Sequence, residues 1–305
     1  MNSFLFSVAI CTYNRAGVIE HSIKSVLSQT ISRSNYEILI IDNNCTDNTV
    51  EIVNKYSSIN DNIRLVNEKN QGLSYARNRA MEEARGEIIV FIDDDAEMCT
   101  DYLSILKKVF DEEKNIGTVG GPIEVGWLGS VPEWYEPGLD SWFNYLYLGS
   151  YRREIKYPCI IYGTNMAFPA KILKEIGGFD TSLGRIGSKL LAGEEAELFI
   201  RLNKKTGLRI IYDPALKVKH LICPERLSPE YLIEKAKWTG RSHYILEKKH
   251  LKNRLFLFAN PMRLLLESCW RILLGISKGN LTEKVNSAFN KGYLKEWFKD
   301  LIFFH

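Results

Sequence analysis

The chain has 305 residues, 45% apolar and 25% charged, enough to bury one large core or two modest ones and unlike a disordered polymer. Its formal charge of +3 argues against nucleic acid as a partner, and no stretch interleaves basic and aromatic residues as a strand-binding groove does. The cysteines, Cys11, Cys45, Cys99, Cys159, Cys223 and Cys269, form no CxxC pair and have no ligand-like spacing to histidine, which suits free thiols in a reducing compartment.

The opening "MNSFLFSVAI" lacks a basic n-region and a small-residue cleavage site, so a cytoplasmic location is expected and Phe4 to Cys11 reads as a strand. From Val18 to Thr30 the apolar residues Val18, Ile19, Ile23, Val26 and Leu27 recur at helical spacing. "YEILIID" is a second strand, Thr46 or Asp47 can cap a helix from Thr49 to Tyr56, and "NIRLVN" is a third strand. Leu73 to Ala84 is again amphipathic, and "EIIVFID" follows as a fourth strand. Apolar strands alternating with helices predict an α/β fold whose mostly parallel sheet is covered on both faces and binds ligands beyond the carboxyl ends of its strands. Thr12 to Arg15, Asp42 to Asn44 and Asp93 to Asp95 all fall at that edge.

No GxGxxG or GxxxxGK[ST] is present, and "GRIGSK" resembles the latter only superficially. A diphosphate at this edge would therefore need its charge neutralised without a glycine cradle, and a divalent cation held by carboxylates does that. "VFIDDDAEM" supplies three: Asp95 as a direct ligand, Asp93 for a ribose hydroxyl or a metal-bound water, and Asp94 beside them on the donor side. The competing reading is an acidic turn solvated by water.

"SVAICTYNRAGVIEHSIKSVLSQT", "YEILIIDNNCTDNT", "NQGLSYARNRAMEEARGEIIVFIDDD", "GTNMAFPAKILKEIGGFDTSLG" and "GEEAELFIRLNKKTGLRIIYDPALKVKH", in that order, resemble the family 2 glycosyltransferases with a GT-A fold, from about Ser7 to Gly240. The resemblance implies a nucleoside-diphosphate sugar donor, a divalent cation (Mn²⁺ or Mg²⁺) at the aspartates, and transfer with inversion. It implies donor contacts for Thr12 and Tyr13 in "CTYNR" and a nucleotide-pocket role for Asp42 and Asn43. The family usually has a second acidic residue at the Asn43 position; an Asn carbonyl can accept from a uracil or guanine N–H and its amide can also donate, so the base is less firmly specified here, with a UDP-sugar favoured. Arg77, one turn into a helix opened by Gly72, suits phosphate or ribose oxygens, or else ties the helix to a carboxylate. Asn165 resembles the GxN turn near the donor sugar, and Gly163 lets the backbone approach closely. Where the family commonly reads GED, this chain has Glu195 as the implied general base and Glu194 as its orienter. His220 is implied as a metal ligand or a diphosphate contact, against a packed core histidine, and Arg226 as a stabiliser of the leaving diphosphate.

Aromatic residues crowd Gly126 to Tyr157, where Pro132 and Pro137 argue against a regular helix or central strand; with Trp238 they suggest an acceptor-side wall. From Arg241 onward 12 Lys and Arg stand against 5 Asp and Glu. Leu255 to Ile276 is strongly apolar but interrupted by Pro261, Arg263, Glu267 and Arg271, with Leu264, Leu265, Trp270 and Leu273 elsewhere around the helix. That disfavours a membrane span and suggests a helix at an anionic membrane surface, or one packed on the rest of the protein. The expected organisation is thus a catalytic domain over 1–240 and a basic helical extension over 241–305. The function expected is a metal-dependent glycosyltransferase acting on a glycan or lipid-linked acceptor in surface polysaccharide or glycolipid assembly, peripheral at the cytoplasmic face of the membrane. A sugar nucleotidyltransferase would share the sheet but carry a glycine-rich basic loop after strand one, which "CTYNRAG" is not. A non-catalytic sugar-binding subunit would be expected to lack one of the two acidic clusters, and both are present.

Overall fold

The computed structural model describes residues 4–136, 138–156, 159–250, 260–266 and 279–303. Pro137, Tyr157, Glu267, Cys269, Trp270, Arg271 and Leu273 lie outside them, as does most of the stretch from 255 to 276.

The first third alternates as the periodicity predicts: β1 (Phe6–Thr12), α1 (Ile19–Leu27), β2 (Tyr36–Asp42), α2 (Thr49–Ser57), β3 (Ile63–Asn67), α3 (Leu73–Glu83) and β4 (Ile88–Asp93). The four strands pair in parallel in the order β3-β2-β1-β4. Their register sets Thr12 opposite Asp42 and Cys11 opposite Asp93, so the polar residues that end β1, β2 and β4 emerge side by side. The strands are buried on both faces. Val8, Ile10, Ile40 and Val90 join Ile19, Ile23 and Val26 of α1 in one core, whereas Ala9, Leu39, Ile41 and Phe91 join Ala76 and Ala80 of α3 in another.

Beyond β4 the alternation breaks. The elements are β5 (Ala96–Met98), α4 (Tyr102–Glu112), β6 (Ile116–Gly120), β7 (Ile123–Trp127), β8 (Arg153–Ile155), β9 (Met166–Pro169), α5 (Ala170–Ile176), α6 (Glu194–Thr206), β10 (Arg209–Tyr212) and β11 (Val218–Ile222). Strand β9 inserts antiparallel between β4 and β6, and the full sheet reads β3-β2-β1-β4-β9-β6-β10-β8. A second sheet, β5-β11-β7, sets His220 of β11 opposite Ala96, the residue after the three aspartates. Among its described residues the aromatic-rich stretch forms no long helix: β7 ends at Trp127, a 3-10 turn covers Asp140–Phe143, and β8 is an edge strand.

The chain divides into two compact units. The first takes the chain up to Leu128, Phe143–Thr181 and Glu194–Cys223, and holds both sheets; the second takes Gly129–Trp142, Ser182–Gly193 and the chain from Pro224 onward. In the second, α7 (Pro229–His250) runs through residue 240 and packs along α8 (Leu281–Phe303). Glycines set how closely these helices cross. A Cβ on Gly240 would lie 2.0 Å from the Phe289 carbonyl oxygen, and one on Gly292 would lie 1.9 Å from that of Lys237. Tyr244 meets Tyr293 edge to face with centroids 5.3 Å apart, Arg241 Nε donates to Glu296 Oε1 (2.5 Å), and the Tyr244 hydroxyl donates to Asp300 Oδ2 (2.7 Å). Among the described residues no helix is long and apolar enough to cross a membrane.

Candidate active site

The loops after β1 and β2 are laced together. Asn14, at φ 53°, donates its backbone N–H to Cys45 Sγ (3.3 Å), and its Oδ1 accepts the Thr46 N–H (2.7 Å). The N–H groups of Arg15 and Ala16 reach Thr49 Oγ1 (2.8 Å) and Asp47 Oδ2 (3.1 Å). Asp47, one residue before the N-cap position Asn48, also accepts the Thr49 N–H on Oδ1 (3.0 Å), while Asn48 itself makes no side-chain cap bond. Thr12 is buried and Tyr13 is exposed.

The Asp42–Asn43 pair splits. Asp42 is half-buried and accepts from the Cys45 N–H (2.8 Å) and Asn67 Nδ2 (2.9 Å). Asn43 is buried and its amide is used internally: Nδ2 donates to the carbonyls of Glu68 (3.0 Å) and Asn70 (2.7 Å), and Oδ1 accepts the Gly72 N–H (2.7 Å). The geometry makes Asn43 a staple for the loop that starts α3. Its complete amide pairing is the physical reason.

At the end of β4 the three aspartates diverge. Asp93 Oδ2 accepts the Thr164 hydroxyl (2.5 Å), and Asp93 Oδ1 lies 3.5 Å from Arg77 Nη2. Asp94 faces Arg15 at 3.4 Å. Burial lifts the Asp94 carboxyl to about 7, with the Asp95 charge adding to the rise and Arg15 opposing it. Asp95 is buried, and its Oδ1 lies 3.2 Å from His220 Nε2. His220 Nδ1 is 3.0 Å from the Phe143 carbonyl oxygen, a contact that requires the proton on Nδ1 and, in the neutral ring, turns the Nε2 lone pair toward Asp95. Burial lowers the His220 pKa, but the Asp95 charge and hydrogen bond raise it more, leaving it above the ordinary value.

Among the described residues no group of three or more His, Cys, Asp or Glu is arranged to hold a metal alone. A carboxylate oxygen beside an imidazole nitrogen oriented by a carbonyl nevertheless fits a divalent cation whose remaining positions are filled by a ligand's own oxygens.

The second acidic cluster opens α6, where Glu194 and Glu195 occupy the first turn. Both meet Arg77: Nη1 donates to Glu194 Oε1 (3.0 Å) and to Glu195 Oε1 (3.2 Å). Arg77 is 2% exposed and lies over the Phe179 ring, 5.4 Å from its centroid. Burial opposes its charge, yet Glu195, Glu194 and Asp93 hold its pKa above the usual arginine range. Of the two roles read from the sequence, the geometry shows the tie to carboxylates. Glu195 Oε1 also accepts the Gly163 N–H (3.0 Å). Gly163 does permit a close approach, but to this pair: a Cβ there would lie 2.0 Å from Arg77 Nη2 and 2.4 Å from Glu195 Oε1.

Asn165, expected near the donor sugar, turns its side chain inward. It is fully buried, its Nδ2 donates to the carbonyls of Pro122 (3.0 Å) and Leu216 (2.8 Å), and its Oδ1 accepts the Tyr102 hydroxyl (2.7 Å). A polar residue inside the apolar run "NMAFP" was the signal for such a buried, fully paired amide. Arg226 is buried in the second unit, and Trp238 there carries the Arg241 guanidinium 4.1 Å from its ring centroid. Trp127 packs edge-on to Phe143 at 5.3 Å, while Tyr145, Tyr147 and Tyr151 are exposed. The sequence reading assigned no site role to Arg15 or Thr164. Arg15 was detectable as the basic residue of the first loop on the edge that carries the aspartates.

The model of the family "Glycosyl transferase family 2" matches residues 7–177. A glucosyl-dolichyl phosphate glucuronosyltransferase of Haloferax volcanii is 28% identical over 246 residues, 79% of this chain and 77% of its own. The glycosyltransferase AglE of the same organism is 36% identical over 121 residues, 39% of each chain. Among solved structures, a mannosyltransferase of Pyrobaculum calidifontis, PcManGT, in complex with GDP-Man and Mn²⁺, is similar at a TM-score of 0.64 and 19% identity, covering 98% of this chain and 87% of that one. GalNAc-T7 with UDP, GalNAc and Mn²⁺ is similar at 0.62 and 16%, covering 99% and 57%. At these identities the structural likeness is one of fold, the GT-A arrangement.

Proposed function

The chain belongs to glycosyl transferase family 2 and is a glycosyltransferase, and from that premise we propose that it transfers a sugar from a nucleoside diphosphate, UDP favoured, to a hydroxyl of a glycan or lipid-linked acceptor. The observation that carries this reading is the proximity of the two acidic clusters: Arg77 touches Glu195 at the start of α6 and Asp93 at the end of β4. Glu195 is the base. One of its oxygens is pinned by Arg77 and Gly163, while Oε2 accepts no hydrogen bond among the described residues and is left for the acceptor's proton. Asp95 and His220 would hold a divalent cation, Mn²⁺ or Mg²⁺, which would supply counter-charge to the diphosphate leaving group. Tyr13, Asp42 and the first two loops line the nucleotide. The two similar structures that hold Mn²⁺ and the glucuronosyl and lipid-linked chemistry in the name of the Haloferax volcanii enzyme support the choice of cation and acceptor class.

The test is a thermal-shift panel of UDP, UDP-glucose, UDP-glucuronate, UDP-N-acetylglucosamine and GDP-mannose with Mn²⁺ or Mg²⁺, followed by calorimetry and transfer assays on two variants. Asp95→Asn should lose metal-dependent donor binding and turnover together. Glu195→Gln should keep donor affinity while transfer falls about 10²- to 10⁴-fold; near-normal transfer would remove Glu195 as the base. Peripheral membrane contact belongs to the same proposal. Phe298, Leu301 and Ile302 of α8 are exposed, and the chain from Arg241 onward is basic. The full chain should therefore sediment with anionic vesicles and be released by salt, and failure to sediment at low salt argues against membrane contact.

A further inference from the structure

We infer that Arg77 is a positioning residue that locks the base to the aspartate strand, and is not a ligand of the donor. The inference rests on the reading of Glu195 as the base. Its ground is a closed ring of contacts. Arg77 Nη1 donates to Glu195 Oε1, and Glu195 Oε1 accepts the Gly163 N–H; the next residue, Thr164, donates its hydroxyl to Asp93 Oδ2, and Asp93 Oδ1 returns to Arg77 Nη2. Two separate ties, one through a guanidinium and one through two consecutive residues of a 3-10 turn (Gly163–Asn165), therefore join the start of α6 to the end of β4.

Each member has the chemistry the ring requires. The planar fork of arginine can present Nη1 to one carboxylate and Nη2 to another, which a lysine ammonium on a flexible stem cannot do with the same geometry. Phe179 lies against the guanidinium and Glu194 takes a second bond from Nη1, so the fork has little freedom to turn toward a phosphate. Glycine at 163 is required because a Cβ would displace both Arg77 and Glu195. A base held this way keeps one oxygen engaged and presents the other at a fixed offset from the strand end that carries the donor's aspartates. A misplacement on the order of 1 Å in such a site costs up to about 10²-fold in rate.

The experiment is a double-mutant cycle in the full chain with Arg77→Lys, Glu195→Gln and the pair. Turnover is followed as UDP release from the UDP-sugar that the wild type uses best, and affinity for UDP with Mn²⁺ is measured by calorimetry. Arg77→Lys should lower kcat by roughly 10- to 100-fold with UDP affinity within about 3-fold of wild type, and should add almost nothing in the Glu195→Gln background. Loss of UDP affinity in step with turnover would overturn the inference, since it makes Arg77 a diphosphate ligand. Multiplying losses in the double variant would also overturn it, since they make the effects independent. Wild-type turnover in Glu195→Gln is a separate outcome that removes the base reading itself. If Arg77→Lys does not fold, Thr164→Val severs the second tie at nearly constant volume; it should lower kcat about 3- to 10-fold with UDP affinity unchanged, and wild-type kcat in that variant would refute the ring.

Discussion

Replacing Asn165 distinguishes a structural amide from a sugar contact. Its three hydrogen bonds, to the carbonyls of Pro122 and Leu216 and from the Tyr102 hydroxyl, join the β6–β7 connection, the turn before β11 and the first residue of α4. In Asn165→Ala all three partners remain buried; the Leu216 carbonyl and the Tyr102 hydroxyl lose their bond, whereas the Pro122 carbonyl keeps the Val218 N–H (3.1 Å). Each of the two orphaned groups costs about 1–3 kcal/mol, so the expected loss is on the order of 2–5 kcal/mol after partial relaxation, a large share of the ~5–15 kcal/mol that holds a domain folded. Tyr102→Phe removes one bond together with its donor and leaves only the Asn165 Oδ1 unpaired, so it should cost about 1–3 kcal/mol. In the double variant the Tyr102 share should vanish, which the cycle reads directly. Urea unfolding of the three variants with a common m-value is the assay. If Asn165→Ala loses less than about 1 kcal/mol, or weakens donor binding at unchanged stability, the buried-amide account is wrong and the residue returns to the donor site.

Asn43→Leu, which keeps the volume but loses both donors and the acceptor, should destabilise by about 2–4 kcal/mol and speed hydrogen exchange at the Gly72 amide, which donates to the Asn43 Oδ1; unchanged exchange would count against its role as a staple. Gly240→Val forces a side chain against the Phe289 carbonyl and should release α8 to limited proteolysis at residues the wild type protects. Burial raises the Cys11 and Cys45 thiols to about 12 and Cys99 to about 11, so at pH 8 iodoacetamide should label exposed Cys159 well ahead of these three by peptide mass spectrometry. Burial raises the Glu247 pKa, but the hydrogen bonds from His243 and Tyr293 lower it more, so it lies below the ordinary value. A depressed carboxylate stabilises above its unfolded pKa, and that contribution is lost as pH falls through the folded value. Wild type should therefore exceed Glu247→Gln in stability at pH 7, with the gap closing below about pH 4.

The parallel half of the fold was legible because its strands are uninterrupted apolar runs with turn chemistry between them. From Phe6 to Asp93 every predicted element is present. The half beyond β4 was not legible, for two reasons. Strands of three to five residues such as β5, β8 and β9 are too short for a period to register. The place of β9 between β4 and β6 depends on a pairing more than seventy residues distant in sequence. In the site, position along a strand was readable but side-chain direction was not. Asn43 and Asn165 stand where a ligand would be met, yet both amides turn inward to backbone carbonyls. Arg77 was open to either role, and its contacts with Glu194 and Glu195 come from the start of α6, more than a hundred residues away in sequence.

The antiparallel strand β9 also bears on how the protein is made. It covers the flank of β4, the strand that carries the aspartates, and joins the parallel group β3-β2-β1-β4 to β6 and β10. On the ribosome about 75 residues separate the end of β4 from the end of β9, which at roughly 5–20 residues per second is about 4 to 15 seconds of synthesis. During that interval β4 is an unsatisfied edge rich in isoleucine, valine and phenylalanine, the kind of surface that recruits another chain. Nascent chains stalled before residue 169 should accordingly depend on chaperones and aggregate when released, whereas chains stalled far enough beyond β9 for it to clear the exit tunnel should not.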